Sequence, residues 1–82
     1  MKRKEHQLYK IVDIHPADDF FVNYKLTLVG LEGWIDEDDI EKDGFVKGYD
    51  ICTFHFLKPV KQIGEIQNIG TVIFRAVKIE PV

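Results

Sequence analysis

Serine is absent from all 82 residues. A serine nucleophile is therefore excluded, and with it every hydrolase built on one. Cysteine occurs once, at Cys52, so no internal disulfide can form and a reducing, cytoplasmic setting is expected. No apolar run approaches the roughly 18 residues a membrane span needs. Met1–Gln7 carries charge with no apolar segment behind it, so a secretory signal is not expected. No glycine-rich phosphate loop is present, because Gly30 and Gly33 are spaced wrongly for either standard fingerprint. Internal repeats, linkers and low-complexity stretches are also missing.

What remains is an ordinary folding composition, with 45% hydrophobic and 30% charged residues. Its length suits one domain, residues 1–82, with residues 1–6 as a basic N-terminal arm. Net charge is −3 but unevenly spread. Residues 1–10 hold four basic residues against one acid, residues 11–43 two against ten, and residues 44–82 five against three. Such separation can leave one positive surface on an acidic protein.

Period-two patterns dominate the chain. Residues 8–14 read as a first strand, with Leu8, Val12 and Ile14 on one face and Tyr9, Ile11 and Asp13 on the other. Residues 20–29 read as the longest strand, with Phe20, Val22, Tyr24, Leu26 and Leu28 on the core face. Trp34 and Ile35 begin a short third strand. The acids of 36–43, closed by Gly44, suit one short helix. Residues 49–57 form a further strand, with Cys52, Phe54 and Phe56 on one face. Lys58-Pro59 ends it, 60–69 adds a weaker strand and 71–79 the last. Turn signals fall at 15–19, 30–33, 43–48 and 68–70. The expected fold is all-β: a five- to six-stranded small barrel, OB-like or SH3-like, with Val12, Val22, Leu26, Leu28, Phe54 and Phe56 buried together.

One stretch adds a resemblance. Ile40-Glu41-Lys42-Asp43-Gly44-Phe45, followed by Gly48-Tyr49-Asp50-Ile51-Cys52-Thr53-Phe54, resembles the second half of a cold-shock domain, and Ala76 to Pro81 its closing strand. The resemblance covers about a third of the chain. It implies a five-stranded OB-type barrel and single-stranded nucleic-acid binding. The family's first aromatic RNA-binding motif is absent: Phe20-Phe21-Val22-Asn23-Tyr24-Lys25 stands near its place without the glycines.

Candidate chemistry is sparse. Asp39-x-Glu41-x-Asp43-Gly44, with Asp50 twelfth, approaches a calcium loop. Lys47 at the ninth position and strand-like flanks argue for an acidic turn instead. Cys52 and His55 sit three apart, on opposite faces of a strand, so they cannot share a metal. No catalytic residue, cofactor or metal site is assigned. The reading is a non-catalytic binding module. Its leading ligand is single-stranded nucleic acid, RNA before DNA, held on one face by Tyr9, Phe21, Lys25 and His55. The alternative is a protein-interaction module that uses the acidic segment Asp36, Glu37, Asp38 and Asp39, or an exposed apolar face. Either form could be a monomer or a homodimer, and no membrane partner is expected.

Overall fold

The computed structural model describes residues 7–82, so the expected basic arm at 1–6 lies outside the described residues. Four antiparallel strands carry most of the chain: β1 (Tyr9–Ile14), β2 (Glu32–Glu41), β3 (Asp50–Ile63) and β4 (Ile66–Pro81). Each pairs with the next, and β1 also pairs with β4, so the sheet closes into a ring. The β1–β2 seam is the shortest, Tyr9 opposite Gly33 and Lys10 opposite Glu32. Backbone bonds from Ile11 N to Leu31 O (3.0 Å) and from Gly30 N to Ile11 O (2.8 Å) extend it.

The strand count is four rather than five or six: residues 20–29 are helical, and three expected segments over 49–79 merge into two strands because two of the breaks there bend a strand instead of reversing the chain. β3 runs for 14 residues and β4 for 16, beyond the usual 3–10. Each turns a corner on the way. Between the pairs His55–Thr71 and Val60–Ile69, β3 advances five residues while β4 advances two. Lys58-Pro59 lies in that bulge, where a proline costs no ladder bond. Asn68 takes a left-handed φ of 54° near the matching bend in β4. The true reversal is at Gly64-Glu65, between paired Ile63 and Ile66. Gly64 has φ 62°, the left-handed first position that two-residue type II′ hairpins reserve for glycine.

Residues 20–29 do not form a strand. Phe21–Tyr24 is a 3-10 turn and Lys25–Leu28 one turn of α-helix, α1. The run is apolar at both periods, and the helical one prevails: Phe21, Tyr24 and Leu28 are three and four apart. Leu28 is fully buried and the Phe21 ring meets Phe74 edge-on at 5.0 Å. Leu26, placed in the core by the strand reading, is 100% exposed. Nor is there a helix at 36–43. Ile35 pairs with Phe54 and Ile40 with Cys52, so the chain between them stays on β2.

Side chains from all four strands fill the ring, with Ile11, Ile14, Phe54, Phe74 and Val77 fully buried. Phe54, Phe56 and Leu28 are buried as expected, while Val12 and Val22 are only partly so. The cause at Val12 is a bulge in β1. From Ile11 to Asp13 that strand advances two residues while β4 advances one. Alternation breaks there, and Ile11 turns inward together with Ile14.

Asp18 ties the 15–20 loop to β4. It is 4% exposed, and its Oδ2 accepts from Arg75 N (2.8 Å) and Ala76 N (3.2 Å). Asp18→Ala strands two backbone donors. It should cost about 1–3 kcal/mol in chemical denaturation, whereas Asp18→Asn, which keeps an acceptor oxygen, should cost less.

Candidate functional site

Tyr9, Phe21, Lys25 and His55 do not form one face. Tyr9 opens β1, half-buried against the core at the ring's seam. Phe21 packs inward, touching Phe20 and Phe74 at 5.0 Å each. Lys25 opens α1, its Nζ 2.5 Å from Asp13 Oδ1. His55 stands on β3 between β2 and β4. Among the described residues no hydrogen bond, ion pair or ring contact joins any two of the four.

Lys25 belongs to a polar cluster around Asp13. The Tyr49 hydroxyl donates to Asp13 Oδ2, His15 meets the Tyr49 ring edge-on at 5.0 Å, and the Lys78 ammonium lies 5.8 Å from that ring's centroid. The hydrogen bonds from Lys25 and then Tyr49 hold the Asp13 carboxyl below the usual aspartate range. The bond to Asp13 pushes the Tyr49 phenol up. A depressed carboxyl stabilises the fold above its unfolded value, roughly pH 4. That contribution is lost as pH falls through the lower, folded value. Stability of the parent over Asp13→Asn, measured by urea titration, should be full at pH 6 and vanish in stronger acid.

The acidic loop is closed by its own chain. Asp50 accepts from Asp43 N (3.2 Å) and Lys42 Nζ (3.3 Å), and Asp43 Oδ1 accepts from Gly48 N at 2.5 Å. The carboxylates at the fifth and twelfth positions of the calcium-like motif thus serve the turn. Cys52 is buried, and burial pushes its thiol up to about 12. It stays protonated at neutral pH, which leaves it a poor nucleophile.

The richest surface is the outer side of β2, β3 and β4. Ile35, Phe54 and Val72 point inward, so alternation turns their neighbours out. Trp34, His55 and Thr71 are opposed in one row, and Thr53 and Ile73 in the next. Trp34 and His55 stack at 5.3 Å with an interplanar angle of 16°. Ile73 is 65% exposed. His55 Nε2 lies 3.1 Å from Asp36 Oδ2 and Nδ1 3.2 Å from Thr71 Oγ1. Because a carboxylate only accepts, neutral His55 carries its proton on Nε2 and accepts from the Thr71 hydroxyl. The chain Asp36–His55–Thr71 can move a proton, but Thr71 and Asp36 both stand exposed on an open face.

Asp36 begins the acidic segment, and the segment borders this face. Between the pairs Ile35–Phe54 and Ile40–Cys52, β2 advances five residues and β3 two. Asp36, Glu37, Asp38 and Asp39 occupy that bulge, all exposed. Four consecutive carboxylates cannot alternate into an apolar interior, so they leave the ladder while the flanking isoleucines keep it. On the other side of Trp34, where β2 begins and β3 bends, Gly30, Leu31, Glu32, Leu57 and Lys58 line a groove of about 270 Å³.

Trp34, Thr71 and Ile73 were not singled out as site residues by the sequence. The signal was present: reading Thr71, Ile73 and Arg75 as alternating with Val72 and Phe74 puts them outside. No family model matches the chain, and comparison with curated proteins and with solved structures finds no match. Among the described residues no helix is long and apolar enough to cross a membrane.

Proposed function

We propose that the chain is a small-barrel binding module that docks a basic protein segment on the outer face of β2–β4. The observation that carries this is the bulge of Asp36, Glu37, Asp38 and Asp39 standing beside the stacked Trp34–His55 pair and exposed Ile73. An aromatic and apolar centre rimmed by charge of one sign is how protein interfaces are commonly built. The carboxylates would draw lysine- or arginine-rich chain and speed its encounter.

The cold-shock-like reading favours single-stranded nucleic acid, which needs stacking aromatics beside cations. Here Phe21 packs against Phe74, Asp13 holds Lys25, and a carboxylate meets His55. These contacts favour the protein partner.

Titrating the protein with a lysine- and arginine-rich peptide, followed by Trp34 emission, tests the reading. A mixed single-stranded oligonucleotide of similar length is the competitor. The peptide should bind and weaken with salt. A variant carrying Asp36→Asn, Glu37→Gln, Asp38→Asn and Asp39→Asn should bind at least about tenfold more weakly. Binding of the oligonucleotide but not the peptide would restore nucleic acid as the ligand.

A further inference from the structure

We infer that His55 is a proton-operated latch on the docking face: when protonated it clamps Asp36 to the sheet and cancels one charge of the acidic bulge. The effect on docking rests on the function proposed above; the latch does not. Three neighbours define it. Asp36 Oδ2 lies 3.1 Å from Nε2, Thr71 Oγ1 lies 3.2 Å from Nδ1, and the Trp34 ring stacks on the imidazole at 5.3 Å.

Each neighbour suits the charged ring. Neutral His55 already donates from Nε2 to Asp36. A second proton enters at Nδ1, and the Thr71 hydroxyl need only turn from donor to acceptor. The bond to Asp36 then becomes a charge-assisted ion pair, shorter and stronger than its neutral form. The imidazolium also lies over the indole face, where a cation is attracted. Among the described residues, Asp36 from β2 is the one carboxylate in hydrogen-bond contact with the ring. Thr71 from β4 and Trp34 from β2 are uncharged, as are Thr53 and Leu57, the outward and corner neighbours on β3 itself.

The consequence is a docking surface that weakens in mild acid. Above the transition four carboxylates face a basic partner; below it Asp36 is paired internally. Neutralising one charge in contact with a partner through water corresponds to about a fivefold loss of affinity.

Trp34 is the single tryptophan, so its emission reports on His55 without any ligand. Imidazolium quenches indole more than neutral imidazole does. Emission should therefore fall with one transition between pH 8 and pH 5. His55→Gln should abolish that transition, while His15→Gln, which alters the ring beside Tyr49, should keep it. The basic peptide should lose about fivefold in affinity across the same range for the parent. Asp36→Asn should remove that loss while keeping the emission change. Far-UV spectra confirm that each variant is folded. An emission curve that is flat, or identical in His55→Gln, overturns the latch. So does peptide affinity that ignores pH while emission titrates. If no peptide binds at any pH but emission titrates through His55, the latch stands and the proposed function falls.

Discussion

Phe54→Ala should unfold much of the protein at room temperature. Phe54 is fully buried, with Phe56 and Phe74 edge-on at ring separations of 5.3 Å and 6.0 Å. Removing the ring deletes its transfer free energy and leaves a cavity between two other aromatics, which costs roughly 3–5 kcal/mol. A chain of 82 residues has only about 4–12 kcal/mol to lose. The melting temperature should drop by on the order of 20 °C. Leu26→Ala is the matching control: fully exposed, it should shift stability by no more than about 0.5 kcal/mol. A strand over 20–29 would place both side chains in one core. The helical turn seen here separates them, so thermal melts of the two variants measure which path the segment takes.

Gly33→Ala should be nearly as damaging, for a different reason. Gly33 is buried on β2 opposite Phe56. A Cβ there would collide with the His55 carbonyl oxygen and reach the Phe54 ring, 2.6 Å from its Cε1. The obstacle includes backbone, which cannot rotate away, so β2 must move from β3. Overpacking of this kind costs about 1–3 kcal/mol, and a rigid backbone neighbour puts Gly33→Ala at the upper end. The same shift would tilt Trp34 off His55. The variant should therefore show altered Trp34 emission at pH 7, even at temperatures where its far-UV spectrum is still native. A Gly33→Ala protein with parental melting temperature and emission would show that β2 does not approach β3 so closely.

Alternation in 49–57 is readable because β3 keeps its own period from Cys52 to Phe56, the extra residues beside Cys52 and Phe54 falling on its partner β2. The same rule misplaced Ile11, since one bulged residue in β1 reverses the facing of all that follows. It misread 20–29, where aromatic and aliphatic residues fill both a period-two and a helical face and only the packing of Phe21 on Phe74 selects the latter. Lys58-Pro59 and Asn68-Ile69-Gly70, read as a strand end and a turn, are bends inside β3 and β4, and the reversal lies between them at Gly64-Glu65. Whether a break bends a strand or ends it depends on strands it pairs with many residues away, and that, with the helical path of 20–29, is why five to six expected strands became four. The proposed docking face was legible in part. His55 was named, and so were the four acids, as members of rival sites. That they meet, through Asp36 and Trp34, follows from the register of β2 on β3, which local pattern does not carry.

The central claim, that a basic protein segment docks on the outer face of β2–β4, is tested most directly by amide chemical-shift mapping. The isotope-labelled protein would be titrated with the lysine- and arginine-rich peptide at pH 7 and low salt. The expected shifts concentrate at Trp34, at 36–40, at Thr53 and His55, and at Thr71 and Ile73, and fade as salt is raised. Shifts confined instead to Tyr9, Phe21 and Lys25, or none at millimolar peptide, would contradict the account.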